Sequence, residues 1–246
     1  MVDLDLSGRT ALVCGASRGI GRACAETLAQ AGAEVICFAR NPQRPAAASE
    51  HRSLLVGGDL TDAGDLDRLV AEVERWGRGL DILVHNGGGP GDATTESVTR
   101  RELDEAIDLV LWPVVELTRR LLPALRRSGQ GRVLSIGSPT FREVQDGRVL
   151  SNSLRPAVVG WLMTLAREVA ADGITVNSIA PGRIETDSFK EYYANRSPEA
   201  DLAAIPAARF GAPADIADLV AFLSSARASY LTGTVIPVDG GLMRSW

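Results

Sequence analysis

The sequence is poor in the residues that bind metals and form disulfides. Three cysteines and two histidines, His51 and His85, occur in 246 residues, and no two cysteines have Cys-x-x-Cys spacing. Cys14, Cys24 and Cys37 lie within apolar strand or helix patterns, which is typical of small buried hydrophobic residues in a reducing compartment. We therefore expect neither a metal site nor a disulfide framework.

Basic tracts and long hydrophobic runs are also absent from the sequence. The formal net charge is −5 at pH 7, which disfavours nucleic acids and anionic membranes as partners. The N-terminal residues lack the basic and apolar regions of a signal peptide, and no apolar run approaches the length of a membrane span. We therefore expect a soluble, cytoplasmic protein.

Apolar runs of strand length alternate with helical patterns along most of the chain. Strands that are apolar throughout are typical of a parallel sheet covered by helices on both faces. No change of composition marks a linker, so we predict one α/β domain over residues 1–246 with a doubly wound, seven-stranded parallel sheet. An exception is Asn41–Arg52, where Pro42 and Pro45 leave room for at most a short helix. The predicted strands are Ala11–Cys14, Glu34–Phe38, Ser53–Val56, Asp81–Val84, Arg132–Ile136, Thr175–Ile179 and Val235–Val238. The predicted helices are Ile20–Ala31, Ala63–Trp76, Arg101–Leu125, Asn152–Ala171 and Pro213–Leu223.

The segment Thr10–Gln30 has the pattern of a strand, a glycine-rich turn and a helix. Gly15, Gly19 and Gly21 follow the strand, and the apolar residues after them have helical spacing. Such a turn directs backbone N–H groups and the positive end of a helix at a phosphate. Glycine is needed where a Cβ would block the approach of a pyrophosphate. An ordinary strand–helix turn is the alternative, and the remaining motifs must distinguish the two.

Two arginines favour NADP(H) over NAD(H) as the nucleotide. Arg40 ends the second predicted strand, where this kind of fold meets the adenosine ribose. An acid there suits the 2′-hydroxyl, whereas a base suits a 2′-phosphate. Arg18, inside the glycine turn, is a second cation directed at the same place, although either arginine could simply be solvated. Asp59 and Leu60 follow the third strand and could bracket the adenine; Asp59 or Thr61 could instead cap the next helix.

A run of glycines follows the fourth predicted strand. Asn86, Gly87 and Gly88 would let the backbone approach a ligand at the carboxyl edge of the sheet. His85 precedes them and could act as a general base, but a histidine at a strand end is more often structural. We therefore favour a structural role for His85.

The predicted helix Asn152–Ala171 is apolar nearly all round. In an isolated domain it would expose Trp161, Leu162 or Met163, whereas packing against a second subunit would bury them. We expect a homo-oligomer, either a dimer or a tetramer. A helix buried wholly within its own domain is the alternative.

Several motifs spread over nearly the whole chain match one family. They are CGASRGIG, GDLTD, HNGG, GRVLSIGS, GITVNSIAPGRIETD, RFGAPADIADLVAFLSS and LTGTVIPVDGG. With these motifs the chain resembles the short-chain dehydrogenases/reductases of the 3-oxoacyl-[acyl-carrier-protein] reductase type. The resemblance implies a Rossmann-type fold and an NADP(H)-dependent oxidoreductase that acts on a carbonyl or hydroxyl group of a small molecule, such as an acyl thioester. It also implies that the cofactor contacts Gly15, Ser17, Arg18, Gly19, Ile20, Gly21, Arg40, Asp59, Leu60, Asn86, Gly87, Gly88, Arg155, Pro181, Gly182, Ile184 and Thr186.

The resemblance is incomplete at the catalytic positions. The family uses an asparagine in its long fourth helix, a serine, and a Tyr-x-x-x-Lys motif. Ser138 matches the serine, but Ser151 stands at the tyrosine position, Arg155 at the lysine position and Val110 at the asparagine position. In the family the tyrosine donates a proton to the carbonyl oxygen, and the lysine lowers its pKa and holds the nicotinamide ribose. These substitutions imply an atypical active site formed by Ser138, Ser151 and Arg155.

Serine and arginine cannot reproduce the family's proton transfer. A serine hydroxyl is a much weaker acid than a phenol, whose pKa starts near ~10. Arg155 stays protonated, with a pKa of ~12.5 or higher in water. It can nevertheless bind the ribose hydroxyls and stabilise a developing oxyanion.

Three functions remain compatible with these residues. In the first, Ser138 and Arg155 polarise a carbonyl, and the proton comes from water or from Tyr192 or Tyr193 in a substrate lid around residues 185–210. In the second, the enzyme reduces the double bond of an enoyl or dienoyl thioester, and Arg155 stabilises the enolate. In the third, the protein binds the nucleotide as a non-catalytic sensor or partner subunit.

The segment after Ser138 gives limited information on the substrate. Pro139, Phe141 and Val144 would form an apolar wall beside the serine. Arg142 and Arg148 could meet a carboxylate or a phosphopantetheine, although exposed arginines on a loop are usually solvated.

Overall fold

One seven-stranded sheet lies at the centre of the computed structural model, which describes residues 4–48, 52–77 and 79–244. Its strands are β1 (Thr10–Cys14), β2 (Glu34–Ala39), β3 (Ser53–Gly57), β4 (Ile82–Asn86), β5 (Arg132–Ile136), β6 (Thr175–Pro181) and β7 (Thr234–Val238). All pairs are parallel, and the strand order is β3-β2-β1-β4-β5-β6-β7. The order confirms the predicted doubly wound, Rossmann-type sheet. In such sheets ligands bind at the carboxyl ends of the strands, where the order reverses between β1 and β4.

Helices cover both faces of this sheet. The described residues form the helices α1 (Gly19–Gln30), α2 (Ala63–Trp76), α3 (Arg100–Ala106), α4 (Trp112–Ser128), α5 (Val149–Val169), α6 (Asp187–Tyr193), α7 (Glu199–Ala203) and α8 (Pro213–Ser224). Successive side chains of a strand point to opposite faces. Leu12 and Cys14 of β1 therefore belong to the core shared with α2, α4 and α5, whereas Ala11 and Val13 belong to the core shared with α1 and α8.

The helix predicted over residues 101–125 has an interruption. α3 and α4 are joined by a π-helical turn, Ile107–Leu111, in which the N–H of Trp112 donates to the carbonyl of Ile107. A π turn accommodates one extra residue within a helix, which apolar periodicity alone does not reveal. Val110, at the position of the family asparagine, lies in this turn and is buried.

The helix predicted over residues 152–171 begins earlier, at Val149, and ends at Val169. The expectation that it exposes large apolar residues is correct for one of the three named. Met163 is 47% exposed, Leu162 is buried and Trp161 is half-buried. The helix thus has a buried face and an exposed face of mixed character.

The N-cap of α2 is Asp62, so the expectation that Asp59 or Thr61 caps this helix is wrong. The Asp62 side chain accepts from the N–H of Asp65 at 2.8 Å. Asp59 instead accepts from the backbone N–H and the hydroxyl of Thr61, at 2.9 and 2.8 Å. The two carboxylates therefore have different structural roles although they lie three residues apart.

The remaining observations concern the segment after β2, membrane-spanning helices, metal ligands and the cysteines. Residues 41–48 contain turns and no helix, whereas residues 49–51, which include His51, lie outside the described residues. Within the described ranges, no helix has the length and apolar character needed to cross a membrane. The same ranges contain no cluster of three or more potential metal ligands from histidine, cysteine, aspartate and glutamate. Cys14, Cys24 and Cys37 are buried free thiols, and burial raises the pKa of each to about 12.

Candidate active site

A cleft of about 500 Å³ opens at the carboxyl edge of β1, β2, β3 and β4. Its position matches the reversal of the strand order. Twelve of the residues that the sequence predicts for the cofactor line it: Gly15, Ser17, Arg18, Gly19, Ile20, Arg40, Asp59, Leu60, Asn86, Gly87, Gly88 and Thr186. Sequence reasoning missed seven other residues that line it: Phe38, Ala39, Gly58, Thr61, Leu109, Asp187 and Ser188.

The glycine turn is packed too closely for side chains. Gly15 has a φ of +63°, and a Cβ on it would lie 2.6 Å from the backbone oxygen of Asn86. A Cβ on Gly21 would lie 2.2 Å from the oxygen of Gly15. Gly21 therefore packs beneath the turn and does not line the cleft. Arg18, the N-cap of α1, makes no side-chain capping bond, and the first turn of α1 contains no acid, so the positive end of α1 is not neutralised by its own side chains.

Both signs of charge occur around the cleft. Arg18 and Arg40 are exposed, and the Nη1 of Arg18 lies 3.5 Å from the Oε1 of Glu191 on α6. Asp59 and Asp187 also line the cleft. Hydrogen bonds from Thr61 hold the pKa of Asp59 below its ordinary value, and the charge of Arg40 acts in the same direction. Sequence reasoning therefore found the two cations of this region but did not weigh Asp187.

A second cavity, of about 220 Å³, adjoins the cleft. Ile20 and Thr186 line both of them. Four further predicted residues line this second cavity and not the cleft: Ser138, Pro181, Gly182 and Ile184. Its other lining residues are Gly137, Pro139, Gln145, Arg148 and Arg183.

A chain of hydroxyl groups connects Ser138 to Ser151. The Oγ of Ser138 and the Oγ of Ser151 each lie 2.8 Å from the Oγ1 of Thr140. The N–H of Thr140 also donates to the Oγ of Ser138, at 3.1 Å. Thr140 and Ser151 are buried, and Ser151 lines neither the cleft nor the second cavity. Sequence reasoning missed Thr140; the Ser-x-Thr spacing of a short turn was the available signal.

Arg155 is a buried cation on α5 that lines neither the cleft nor the second cavity. It is only 8% exposed, and its Nη2 donates to the carbonyl oxygen of Gly88 at 3.1 Å. Its Nε is buried without a hydrogen-bond partner. Burial lowers the pKa of Arg155 to about 10, so the side chain remains charged at neutral pH. It lines a small internal void together with Val110 and Asn86.

His85 is buried and occupies a structural position, as favoured from the sequence. Its Nε2 lies 2.7 Å from the Oγ1 of Thr118 on α4. Burial lowers the pKa of His85 to about 3, so the imidazole is neutral near pH 7. A neutral imidazole bonded to a core threonine is suited to holding α4 against β4.

The segment around residues 185–210 contains two short helices, α6 and α7. The phenol of Tyr193 donates to the Oδ2 of Asp201, which also pairs with Arg183 through its Oδ1. Burial and the Asp201 hydrogen bond raise the pKa of Tyr193 to about 12. The guanidinium carbon of Arg196 lies over the ring of Tyr192, 4.4 Å from the ring centroid. Neither tyrosine lines the cleft or the second cavity, which disagrees with their use as the proton donor.

The loop after Ser138 differs from the apolar wall expected from the sequence. Pro139 lines the second cavity, but Phe141 is buried in the core, where a Cβ on Gly137 would meet its ring at 2.1 Å. Val144 is 83% exposed. Of the two arginines, Arg148 lines the cavity and Arg142 is exposed outside it. The wall is therefore more polar than predicted.

Comparisons with known proteins agree with this architecture. A family model described as "Enoyl-(Acyl carrier protein) reductase" matches residues 15–243. The chain is 36% identical over 242 residues to the 3-oxoacyl-[acyl-carrier-protein] reductase of Escherichia coli (strain K12), covering 97% of this chain and 99% of that protein.

Two solved structures are similar over almost their whole length. A 3-oxoacyl (acyl-carrier-protein) reductase from Agrobacterium tumefaciens C58 with NADP bound is 32% identical, with a TM-score of 0.87 and coverage of 97% and 96% of the two chains. L-Sorbose reductase from Gluconobacter frateurii, complexed with NADPH and L-sorbose, is 30% identical, with a TM-score of 0.90 and full coverage of both chains. The sheet order, the glycine turn and these similarities lead to one assignment: the chain belongs to the short-chain dehydrogenase/reductase family and is an oxidoreductase of that family.

Proposed function

We propose that this protein is an NADP(H)-dependent oxidoreductase that acts on a carbonyl or hydroxyl group, as a 3-oxoacyl reductase does. One observation carries the proposal: the cleft and the Ser138 cavity adjoin, with Ile20 and Thr186 lining both. A nucleotide in the cleft would therefore present one end to the cavity that contains a hydroxyl group. The matched relatives include reductases whose structures hold NADP or NADPH.

The residues around the cleft fit a dinucleotide phosphate. Gly15 and Gly21 let the turn pack so closely that a Cβ at either position would clash with backbone, and the first turn of α1 is free of acids, so backbone N–H groups would bind the pyrophosphate. Arg18 and Arg40 would bind the 2′-phosphate. The buried Nε of Arg155, which lacks a partner, would donate to a ribose hydroxyl.

The remaining predicted contact residues would bind the adenine end and the nicotinamide end of the nucleotide. When bound, the nicotinamide supplies or removes a hydride at the substrate carbon. We propose that the adenine lies between Asp59 and Leu60, and that the nicotinamide end contacts residues at the β4 end of the cleft and in the second cavity. These residues are Asn86, Gly87, Gly88, Pro181, Gly182, Ile184 and Thr186.

Ser138 and Arg155 would act on the reacting oxygen. The N–H of Thr140 donates to Ser138, and when the hydroxyl of Thr140 also donates to Ser138, the Ser138 proton is available for a hydrogen bond to the substrate oxygen. The fixed charge of Arg155 would stabilise negative charge that develops there. Ser151 would hold Thr140, and through it Ser138, in position. Neither a serine nor a threonine is an acid near pH 7, so the proton that completes the alcohol would come from water.

Reduction of a conjugated double bond is the second candidate. The matching family model is described as an enoyl reductase, and no tyrosine among the described residues lines the cleft or the Ser138 cavity. Hydride addition to carbon would leave an enolate that Arg155 could stabilise without an immediate proton transfer. A nucleotide sensor or partner subunit without redox activity would use the same cleft.

Fluorescence titration with NADPH and turnover assays test these candidates. We expect saturable NADPH binding, and NADPH oxidation with ketones or oxoacyl thioesters but not with enoyl thioesters. Turnover only with enoyl thioesters would favour the second candidate. Tight binding with no turnover on either panel would favour the sensor, and no binding of any nicotinamide nucleotide would refute all three.

We further propose that residues 1–246 form one domain in which residues 185–210 act as a substrate lid. Exposed apolar side chains support a homo-oligomer, a dimer or a homotetramer, because Trp112 is 50% exposed and Met163 on α5 is 47% exposed. The three buried free thiols support a reducing, cytoplasmic location. Light scattering of the purified protein would measure the number of subunits.

A further inference from the structure

The cavity beside Ser138 has a cationic wall that the proposed reaction does not use. Arg148 and Arg183 line it together with Gln145 and Ser138. None of the described residues that line it is an aspartate or a glutamate. Its volume of about 220 Å³ is below the ~300–1,000 Å³ typical of pockets for drug-sized ligands. The cavity is therefore suited to a small molecule that carries negative charge.

The two arginines differ in how firmly they are already paired. The Nη2 of Arg183 donates to the Oδ1 of Asp201 at 2.9 Å, and Asp201 also accepts from Tyr193. Arg148 makes a looser ion pair, with its Nε 3.7 Å from the Oδ1 of Asp92, which is beyond hydrogen-bond distance. The Asp92 side chain is 69% exposed. Because exposed ion pairs contribute only ~0–1 kcal/mol, a ligand can replace Asp92 at small cost.

The backbone fixes Arg148 at the edge of the cavity. Arg148 immediately precedes α5, and the residues on either side of it are tied to one strand-like segment. The N–H of Ala93 donates to the oxygen of Gly147 at 3.0 Å, and the N–H of Val149 donates to the oxygen of Ala93 at 3.1 Å. Arg142, in the same loop, is exposed and does not line the cavity. Arg148 is therefore positioned for a ligand and Arg142 is not.

We propose that Arg148 binds an oxyanion of the substrate, a carboxylate or a phosphate, while Ser138 faces the reacting oxygen. A guanidinium group binds either oxyanion through two parallel N–H···O bonds. The substrate class is thus a small oxo or hydroxy acid, or a small oxo or hydroxy phosphate ester. This inference rests on the proposed function, because it assumes that the reacting oxygen and the oxyanion occupy the same cavity.

Matched substrate pairs test the inference through turnover. We would measure kcat/KM with NADPH for 4-oxopentanoate against its methyl ester, and for dihydroxyacetone phosphate against dihydroxyacetone. We expect the wild-type protein to prefer the charged member of one pair at least tenfold, and that pair identifies carboxylate or phosphate. Arg148→Gln should reduce the preference at least tenfold, mainly through KM, and Arg148→Lys should retain part of it. Arg142→Gln is the matched control and should keep the full preference.

A binding measurement tests the oxyanion site separately from turnover. We would titrate 4-oxopentanoate and inorganic phosphate calorimetrically into the protein with NADP⁺, where no reduction can occur. We expect saturable binding of one of them that Arg148→Gln weakens at least tenfold and Arg142→Gln leaves unchanged. Such binding without turnover of any carbonyl would refute the proposed reaction and support the oxyanion site. Turnover of neutral carbonyls with no preference for charge, or equal effects of the two substitutions, would overturn the oxyanion site alone.

Discussion

The part of the site at the glycine turn after β1 is shaped by close backbone packing, whereas the part around Ser138 and α5 is formed by side chains. In the first part, Gly15 and Gly21 pack so closely that a Cβ would lie 2.6 or 2.2 Å from a backbone oxygen. In the second part, contacts between Ser138, Thr140 and Ser151 depend on single hydroxyl groups. A region formed by backbone tolerates few changes, whereas side chains can be exchanged on the same scaffold. This difference would explain how one family fold can retain its cleft while, as the sequence predicts, three of the four catalytic positions carry other residues.

The largest effect is expected from Gly15→Ala. The new Cβ would meet Asn86 at 2.6 Å in a residue whose φ is +63°, so the turn must move. We expect at least a hundredfold loss of NADPH affinity in a fluorescence titration, together with a lower melting temperature. Gly91→Ala is the control, because a Cβ there meets nothing within 4 Å and its φ is not positive. Equal NADPH affinities for wild type and Gly15→Ala would contradict the idea that close backbone packing at the glycine turn is needed for nucleotide binding.

The next largest effect is expected from Arg155→Ala. Arg155 belongs to α5 and donates to the carbonyl of Gly88, a residue that lines the cleft. Removing the guanidinium takes a donor from the carbonyl of Gly88 and, in the proposed reaction, a stabilising charge from the reacting oxygen. Hydrogen bonds to charged groups contribute ~1.5–3 kcal/mol, which corresponds to a ~10–150-fold loss of NADPH affinity, and we expect turnover to fall further. Arg155→Lys should recover part of both. Arg167 is an exposed arginine near the end of α5, and the control variant Arg167→Ala should bind NADPH normally. If Arg167→Ala also lost NADPH affinity, the loss in Arg155→Ala would come from a disturbed α5 and not from the missing guanidinium.

A smaller and more selective effect is expected from Arg40→Asp. The substitution replaces the proposed partner of the 2′-phosphate with an acid, so NADPH should bind ~10–100-fold more weakly while NADH binds as well or better. Dissociation constants for both nucleotides, measured under one buffer condition, give the ratio. A ratio unchanged from wild type would mean that Arg40 is solvated and that nucleotide preference is set elsewhere.

The last effect leaves nucleotide binding aside and concerns the pH dependence of stability, through His85 on β4. Burial lowers the pKa of His85 to about 3, whereas the unfolded chain should protonate it near ~6.5. The unfolded state then binds more protons, so His85 contributes its full stability above pH ~6.5 and loses it as pH falls towards ~3, by at most ~1.4 kcal/mol per pH unit.

His85→Gln tests this dependence directly. Glutamine keeps a polar partner for Thr118 and cannot be protonated in this range. Urea unfolding between about pH 4.5 and about pH 6.5 should give a shallower rise of the unfolding free energy with pH in the variant than in wild type, by up to ~1.4 kcal/mol per unit. Identical slopes would contradict the neutral, buried state of His85.

Sequence patterns were sufficient for the backbone part of the site because its constraints are local. The glycine spacing, the apolar strands and the amphipathic α2 each depend on residues adjacent in sequence, and α2 has the predicted bounds Ala63–Trp76. Spacing from a family motif also predicted roles for Ser138 and Arg155; Ser138 lines the second cavity and Arg155 is buried. These features need no knowledge of how distant segments pack.

The remaining features depend on contacts between distant segments. The neutral state of His85 requires knowing that Thr118 on α4 covers it. The pairing of Tyr193 with Asp201 removes a phenol that the sequence offered as a proton donor. The bridging position of Thr140 and the different exposures of Arg142 and Arg148 follow from the path of one loop. Periodicity could not separate α3, the π turn and α4, because apolar residues continue through all of them.

The π turn at Ile107–Leu111 also constrains how the chain can change in length. Successive residues of an α-helix are separated by ~100° of rotation and ~1.5 Å of rise. Because the π turn absorbs one extra residue, deleting one of these five residues would convert the segment to regular α-helix and leave the later side chains of α4 in their present orientation. The π turn is therefore a point at which the chain can lose one residue while Thr118 stays against His85.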